Sequence, residues 1–261
     1  MKICTFNVNS IKARKELIFE WLQHRENDID ILCFQELKAV AELFPDEDFK
    51  KLGFFCFVSG QKAYNGVAIC TKPPTERILE KEIEEYWDEQ KRIIAVRTAG
   101  LNILNIYAPH GDERGAEKFN YKMTWYDRLR KFLEKHFTAE DPLLVVGDFN
   151  VAREDRDVWS PEELQDTIGT MPEEREKFET LLGWGMIDSF REIYPEKQQF
   201  TWWDYIGGAV WRDQGMRIDY VLFTKPLIKK MKGLEVDLWP RKRRAPKPSD
   251  HAPLIATLEV S

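Results

Sequence analysis

The chain has 261 residues, of which 43% are hydrophobic and 32% are charged, and its formal net charge is −6. That length suits one large domain or two small ones, and the apolar content is enough for a substantial core. No apolar run reaches the roughly 18 residues that a membrane-spanning helix needs, so no membrane partner is expected. The negative net charge argues against a protein that coats nucleic acid nonspecifically.

Taken in chain order, short apolar runs predict strands, and the pair Asn65-Gly66 predicts a hairpin turn. The strand runs are KICTFNV, DILCFQE, FFCFVSG, GVAIC, IIAVRT, LNILNIY, LLVVGDF, FTWWDY, RIDYVLF, LEVDLW and LIATLEV. Apolar residues at helical spacing predict two helices, one with the stripe Leu17, Ile18, Trp21 and Leu22, the other with Phe119, Met123, Tyr126, Leu129 and Leu133. A third helix is predicted over PEEREKFETLLGWG, with Pro172 in its first turn and Gly183 as a stop signal.

No linker, low-complexity tract or internal repeat interrupts these runs, which favours a single domain over residues 1–261. Many strands with a few long helices predict an α/β fold in which two packed sheets have helices outside. The sequence contains no GxGxxG motif and no P-loop, and it lacks a simple alternating Rossmann pattern.

The N-terminus and the cysteines predict where the protein works. MKICTFNVNS enters a strand pattern at once, without the apolar block of a secretory signal. The four cysteines have no paired metal spacing, so we expect them to be reduced and buried in a cytosolic protein; they are Cys4, Cys33, Cys56 and Cys70.

A basic run, PRKRRAPKP at 240–248, interrupts the acidic chain near its end. Such a run is more often a solvated loop than a binding site. A local positive surface on an acidic protein nevertheless permits a phosphate ligand.

The stretch LLVVGDFNVA ends a buried strand in polar residues. Asp and Asn are poor strand formers, so Asp148 and Asn150 are expected where pairing stops and the chain meets water. Gly147 would let another group approach the backbone closely. Considered alone, Asp148 could simply open a turn.

Five other segments also place polar residues at or near a strand end. They carry Asn7 and Asn9, Gln35 and Glu36, Tyr107 and His110, Asp219, and Asp250 with His251. Each has an ordinary structural explanation, as a surface carboxylate, a core phenol or a loop histidine. Together they indicate one cleft, because strand ends from two sheets can converge.

These residue types fit metal-assisted hydrolysis of a phosphodiester. Glu36 and Asp250 are suitable oxygen ligands for a hard cation, and an ionised Asp148 could hold and deprotonate a water. Charge developing on the phosphoryl oxygens needs hydrogen-bond donors, which Asn150, Tyr107 and His251 can supply. Asp219 could orient His251 and hold it in the protonated form. No Cys–His or GxSxG arrangement supports a covalent route.

In order, the motifs TFNVNS, DILCFQELK, GVAI, NIYAPHG, GDFNVA, DSFR, FTWWDY, GMRIDYVL and KPSDHAPL resemble the exonuclease III family of apurinic/apyrimidinic endonucleases. They run from residue 5 to residue 254. GDFN and SDH alone would indicate only the wider endonuclease/exonuclease/phosphatase superfamily, whereas DILCFQELK, DSFR, FTWWDY and GMRIDY are narrower. The resemblance implies a four-layer α/β sandwich, with two packed mixed β-sheets flanked by helices.

The resemblance also implies an activity and a location. The activity is Mg²⁺-dependent cleavage of double-stranded DNA 5′ to an abasic site, with some 3′-phosphodiesterase, 3′-phosphatase or 3′→5′ exonuclease activity, in base excision repair. Mn²⁺ is expected to substitute for Mg²⁺. The protein is expected to be a monomer, cytoplasmic, and nucleoid-associated if its source is a prokaryote.

Carried over residue by residue, the resemblance gives Glu36 the role of metal carboxylate, with Asn9 near the metal and Asp250 as a possible second ligand. It matches Asp148 to the residue that activates or positions the water. The remaining catalytic matches are Asn150 and Tyr107 at the phosphate, Asn7 as an orienting amide, and Asp219 with His251 as the acid–imidazole pair. Trp202, Met216 and Ile218 match positions where relatives build an apolar pocket for a baseless deoxyribose, while Trp203 is expected to be core.

Three departures concern the grip on DNA. His110 stands where some relatives have an Asn that contacts phosphate, and Asp213 replaces an Asn common before GxRID. The segment 155–171 contains no Asn, although in some relatives Asn residues of this region contact the substrate.

Two other functions remain open at this stage. A phosphatase or deadenylase of the superfamily, acting on inositol phosphates, lipids or RNA, should lack the FTWWDY and GMRIDY pair. A catalytically dead nucleic-acid-binding relative should have lost Glu36, Asp148 or His251, and all three are present.

Overall fold

Two six-stranded sheets pack face to face at the centre of the structure, a computed structural model that describes residues 1–87 and 90–259. The strands are β1 (Lys2–Asn7), β2 (Ile31–Gln35), β3 (Phe55–Ser59), β4 (Val67–Thr71), β5 (Thr75–Arg77), β6 (Ile93–Thr98), β7 (Leu101–Tyr107), β8 (Leu143–Asp148), β9 (Met186–Asp188), β10 (Trp202–Trp203), β11 (Gly215–Met216), β12 (Asp219–Thr224), β13 (Met231–Val236) and β14 (Leu254–Leu258). The helices are α1 (Ile11–His24), α2 (Asp46–Lys51), α3 (Glu80–Tyr86), α4 (Glu117–His136), α5 (Pro161–Leu164), α6 (Pro172–Trp184) and α7 (Ser189–Ile193), with 3₁₀ turns at Ala41–Leu43, Asp155–Asp157, Ile206–Trp211 and Lys225–Lys230.

Both sheets are mixed. The strand order is β13-β14-β1-β2-β4-β3 in the first sheet and β5-β6-β7-β8-β12-β9 in the second. β1 runs parallel to β2, and β7 runs parallel to β8, whereas the other neighbours are antiparallel. β10 and β11 form a separate two-stranded ribbon.

Alternation of side chains along the strands produces three apolar layers. Ile3 of β1 and Val146 of β8 face the space between the sheets. Phe6 of β1 packs outward against α1, and Val145 of β8 packs outward against α4 and α6. Because strand residues alternate between faces, each central strand is buried on both sides. The result is the predicted four-layer α/β sandwich.

The three predicted helices exist, with corrections to their details. Gly183 does not stop the third helix, which continues to Trp184; Gly185, with φ 128°, follows its end. In α4 the predicted Met123 is only half-buried, while the neighbouring Lys122 is fully buried. Lys122 forms an ion pair with Glu174, which the spacing of apolar residues could not predict.

Asn65 and Gly66 both adopt positive φ, as a hairpin turn requires. They lie at the end of a seven-residue connection between β3 and β4, residues 60–66, rather than in a two-residue turn. Several elements are too short to show a periodic apolar pattern and were not predicted: α2, α3, α5, α7, β5 and β9. Val260, at the end of the last predicted strand, lies outside the described residues.

The expectation that all four cysteines are reduced is wrong. Cys56 and Cys70 form a disulfide, because the register of antiparallel β3 and β4 places them directly opposite each other. Cys4 and Cys33 are free and buried. Within the described part of the chain, no helix is long and apolar enough to span a membrane.

Candidate active site

The predicted polar residues meet because the two parallel strand pairs end at the same place. The last pair of β1 and β2 is Asn7 with Gln35, and the last pair of β7 and β8 is Tyr107 with Asp148. β12 runs antiparallel to β8, so its first residue, Asp219, lies opposite Asp148. The sheets therefore bring these strand ends to one edge of the sandwich.

A cavity of about 290 Å³ opens at this edge. Ten of the thirteen predicted site residues line it: Asn7, Asn9, Glu36, Tyr107, His110, Asp148, Asn150, Trp202, Asp250 and His251. The other three lie behind or beside the lining. Asp219 contacts the far side of the His251 ring, and Met216 and Ile218 pack near Trp202.

Asp148 both opens a turn and faces the cavity. Its Oδ1 accepts a hydrogen bond from the backbone N–H of Asn150 at 2.9 Å, which is the ordinary turn contact. Its Oδ2 accepts a hydrogen bond from Nδ2 of Asn7 at 2.8 Å. The two readings of this residue are compatible, because its two oxygens have different partners.

Gly147 lets the chain pass close to β7. Its φ is 143°, and a Cβ atom there would lie 1.9 Å from the carbonyl oxygen of Ile106. The expected close approach is therefore made by the backbone of the neighbouring strand, and a larger residue would displace Asp148.

His251 lies between two carboxylates. Its Nδ1 is 2.8 Å from Asp219 Oδ2, and its Nε2 is 3.7 Å from Asp148 Oδ2. Burial lowers the pKa of His251, but Asp219 and Asp148 outweigh burial and raise this pKa to about 10. The ring is then charged at neutral pH, with Nδ1–H donating to Asp219 and Nε2–H directed toward Asp148.

Asp148 has the opposite balance of environment. Burial raises its pKa to about 7, although the charged His251 and the hydrogen bond from Asn7 both act to lower it. A carboxylate with a pKa near neutrality can accept a proton and release it again.

Glu36, Asn9 and Asp250 form a group of oxygen-bearing side chains on one wall. Asn9 Nδ2 donates to Asp250 Oδ1 at 2.9 Å, and Trp202 Nε1 donates to Asp250 Oδ2 at 3.1 Å. The ammonium of Lys38 bridges the other two, at 2.7 Å from Asn9 Oδ1 and 2.9 Å from Glu36 Oε1. Burial acts to raise the pKa of Asp250, but His251 and the two hydrogen bonds bring it below the usual value.

This group fits a divalent cation. A cationic ammonium already bridges two of its oxygens, which shows that this wall accommodates positive charge. Hard oxygen donors without thiolate are the set that Mg²⁺ and Mn²⁺ prefer. A second group, Asp148, Asp219 and His251, has its ligand atoms within 4.8 Å of one another. Its imidazole Nδ1 is already committed to Asp219, which favours the Glu36 wall as the place for a cation.

Tyr107 and Asn150 complete the lining. Burial raises the pKa of Tyr107 well above 10, and Glu36 and Asp148 add to this effect, so the phenol stays protonated as a donor. Arg92 stacks on its ring at 4.8 Å and donates to its backbone oxygen at 3.2 Å. The Asn150 side chain donates to Ala108 O at 2.9 Å, which fixes the amide in the wall.

An apolar cluster adjoins the polar cavity. Met216 and Ile218 are buried, and half-buried Trp202 packs on them. Trp202 of β10 is also the antiparallel backbone partner of Met216 of β11, and its backbone forms an isolated β-bridge with His251. Trp203 is fully buried in a different cluster, as expected.

The structure shows where the three departures from the family pattern lie. His110 is exposed at the rim of the cavity. Asp213 accepts a hydrogen bond from Trp203 Nε1 at 3.3 Å, so it supports the ribbon from outside. Segment 155–171 folds over the apolar cluster, which Val158 and Leu164 join.

Several residues of the site were missed by the sequence analysis. Lys38 is one, although it lies within the quoted DILCFQELK. Thr201 is another: its hydroxyl accepts from the backbone N–H groups of Ile218 and Asp219, each at 3.1 Å. The buried pair Lys122 and Glu174 holds loops of the site from behind. None of these has a signal in residue type or spacing, because each acts through long-range contacts.

Comparisons with known proteins identify the family of the chain. Residues 4–251 match the endonuclease/exonuclease/phosphatase family. The chain is 34% identical over 273 residues to exodeoxyribonuclease III of Haemophilus influenzae, covering 98% of this chain and 99% of the relative.

Two solved structures are also similar over nearly the whole chain. An AP endonuclease from Archaeoglobus fulgidus superposes with a TM-score of 0.90 at 37% identity, covering 100% of both chains. The 3′ phosphatase NExo from Neisseria, bound to a product DNA hairpin, gives a TM-score of 0.90 at 35% identity, covering 99% of both. The chain therefore belongs to the endonuclease/exonuclease/phosphatase family and, within it, to the exonuclease III family of DNA repair nucleases, which are hydrolases.

Proposed function

We propose that this protein hydrolyses the backbone of double-stranded DNA 5′ to abasic sites, leaving a 3′-OH, with Mg²⁺ as its cation and Mn²⁺ as a substitute. We further propose that it acts as a monomer and has 3′→5′ exonuclease and 3′-phosphatase or phosphodiesterase activity. The observation that carries the proposal is the meeting, in one cavity, of a proton acceptor, hydrogen-bond donors and oxygen ligands beside an apolar cluster.

Asp148 is the proposed acceptor for the proton of the attacking water. Asn7 and the backbone of Asn150 hold its two oxygens from different sides, so the carboxylate has one orientation. Its pKa of about 7 matches a proton acceptor that works near neutrality.

His251 is the proposed donor to the phosphoryl oxygen. Asp219 orients its ring through Nδ1 and stabilises its positive charge. His251 Nε2 lies 3.7 Å from Asp148 Oδ2, so the proposed donor and the proposed acceptor are neighbours in the cavity. Tyr107 and Asn150 are proposed to contact the same phosphate as neutral donors.

Glu36 and Asp250, with Asn9 between them, are proposed to hold the cation. When bound, Mg²⁺ supplies positive charge that offsets the charge developing on the scissile phosphate. Without a cation, the carboxylates of Glu36, Asp148 and Asp250 would repel the phosphate. The resemblance to the exonuclease III family implies a divalent metal, which supports this assignment.

Selectivity for abasic sites is proposed to come from Trp202, Met216 and Ile218. A nucleotide without its base has lost stacking and pairing, so it costs little to turn out of the helix. The small sugar can enter a narrow apolar pocket, whereas a sugar that bears a base is excluded by its size. The relatives named above, an AP endonuclease and a 3′ phosphatase, support both proposed activities.

One assay tests the proposal. Cleavage of an abasic duplex, an intact duplex and a recessed 3′ end is measured with Mg²⁺ and with EDTA, and Asp148→Asn serves as the inactive control. We expect Mg²⁺-dependent incision 5′ to the abasic residue, together with slower removal of 3′ nucleotides. Absence of incision in the abasic duplex would refute the endonuclease assignment, and cleavage of only the recessed end would make the protein an exonuclease.

A further inference from the structure

Outside the cavity, the basic run 240–248 packs against the turn that follows β10. Buried Arg241 fixes this arrangement. Its guanidinium donates to the backbone oxygens of Trp203 and Asp204, at 2.8 and 3.2 Å, and to that of Asp250 at 3.2 Å. The basic run is therefore attached to the wall of the active site.

Two aromatic rings at this junction are each covered by a lysine. Lys247 lies over the ring of Tyr205 at 5.5 Å, and Lys242 lies over the ring of Trp211 at 5.6 Å. All four side chains are exposed, and Trp211 has 63% of its surface open to solvent. We call Tyr205, Trp211, Lys242 and Lys247 the aromatic–basic strip.

The aromatic–basic strip begins at the active site. The hydroxyl of Tyr205 is 3.5 Å from Asn9 Nδ2 and accepts a hydrogen bond from Arg14 at 2.9 Å. Trp211 ends the 3₁₀ turn that starts at Ile206, and Gly207 and Gly208 inside that turn adopt positive φ. The exposed indole of Trp211 thus follows a bend that contains two glycines.

An exposed tryptophan beside a lysine has a specific chemical use on a protein that binds DNA. Every nucleobase has a π-face, so an unpaired base can stack on an indole irrespective of sequence, while ammonium groups contact the backbone phosphates. A base inside an intact duplex is already stacked and cannot use the indole in this way. Exposed rings that are each paired with a lysine thus fit a single strand better than a duplex.

We propose that the aromatic–basic strip binds unpaired nucleotides next to the cleavage site, with a base stacked on Trp211 and phosphates near Lys242 and Lys247. This inference rests on the proposed function only in taking DNA as the substrate. It predicts that abasic sites within frayed, gapped or bubble DNA are bound more tightly than those in a continuous duplex.

The test is the dissociation constant of labelled oligonucleotides, measured by fluorescence anisotropy in EDTA. Each probe carries a tetrahydrofuran abasic analogue. One probe is fully paired, one has a short run of unpaired thymidines on the 5′ or 3′ side of the analogue, and one replaces those thymidines with baseless spacers. The spacer probe keeps the phosphates and removes the stacking.

We expect Trp211→Ala to weaken binding of the thymidine probe roughly tenfold on one of the two sides, because one base-on-aromatic contact is lost. Binding of the paired and spacer probes should be unchanged, and Trp211→Phe should retain most of the affinity. Phe55→Ala is the matched control, since Phe55 is 64% exposed but lies at the opposite end of the first sheet from Asn7 and Gln35. Lys242→Gln should weaken all three probes and reduce the salt dependence of binding.

An equal loss by Trp211→Ala on all three probes, or no loss on the thymidine probe, overturns the proposal. Circular dichroism confirms that each variant is folded. Cleavage of the paired abasic duplex with Mg²⁺ is measured separately. Failure of that cleavage with Trp211-dependent binding retained would refute the proposed function alone, whereas cleavage without Trp211-dependent binding would refute the aromatic–basic strip alone.

Discussion

The ammonium of Lys122 and the carboxylate of Glu174 lie 2.6 Å apart, and both side chains are completely buried. Lys122 also donates to the backbone oxygens of His110 and Asn150, at 3.0 and 2.7 Å. Glu174 accepts from the backbone N–H groups of residues 169 and 171, at 2.6 and 3.1 Å. One ion pair thus connects three loops around the active site.

Removing one partner of this pair should be costly, because the other charge is left buried alone. Lys122→Met is expected to lower the free energy of unfolding by about 3–5 kcal/mol. The double variant Lys122→Met/Glu174→Leu should regain much of that stability, since no charge remains, but not the activity, since the loops stay untied. Urea unfolding and kcat/KM on the abasic duplex measure the two effects. If the double variant regained activity together with stability, the ion pair would contribute to stability and would not be needed to position the active-site loops.

The cation should depend on Glu36. Glu36→Gln keeps the size and removes the charge, so we expect the Mg²⁺ concentration for half-maximal activity to rise roughly tenfold or more. Glu42→Gln, an exposed carboxylate in the nearby 3₁₀ turn, is the matched control. EDTA should abolish activity, and Mg²⁺ or Mn²⁺ should restore it. Full turnover in EDTA would exclude metal-assisted hydrolysis.

Asp148→Asn tests the proton acceptor. The amide has nearly the same shape but cannot take a proton at this position, so the rate should fall roughly 10²–10⁴-fold while DNA binding is retained. Single-turnover cleavage and anisotropy with the abasic duplex give the two values. If more than about half of wild-type turnover remained, the only role of Asp148 would be its turn contact with Asn150.

His251 and Asp219 should behave as one unit. His251→Ala removes the donor at the phosphoryl group, with an expected loss of roughly 10²–10³-fold in kcat. Asp219→Asn acts through the same imidazole, so the double variant should be little worse than His251→Ala. The double-mutant cycle in kcat is the measurement. Multiplicative losses would mean that Asp219 acts independently of the ring.

Trp202 has two contacts that two substitutions can separate. Trp202→Ala opens the apolar cluster and also removes the Nε1 hydrogen bond to Asp250, whereas Trp202→Phe removes the hydrogen bond and keeps an aromatic ring in the cluster. We expect Trp202→Ala to lower cleavage at abasic sites and to increase relative cleavage at intact or damaged-base nucleotides, because the pocket is wider. Trp202→Phe should keep the wild-type ratio. The ratio of abasic-site to intact-nucleotide cleavage, with circular dichroism as the fold control, decides the role, and an unchanged ratio in folded Trp202→Ala would place the pocket elsewhere.

The sequence by itself determined the class of fold and the family. Short continuous apolar runs identify the strands, because a strand that is buried on both faces carries apolar residues on each of them. The polar residues that end those runs identify the cleft, because Asp148 and Asn150 interrupt a pattern that packing alone would continue. The motifs that contain them also identified the exonuclease III family.

Tertiary structure alone decided the contacts between distant segments. The disulfide of Cys56 and Cys70 depends on the register of β3 with β4, and the burial of Lys122 depends on a carboxylate 52 residues away. The aromatic–basic strip exists because Arg241 attaches one loop to another. Such contacts leave no periodic or compositional trace, because their energy comes from pairing across the fold and not from the conformational preference of either segment.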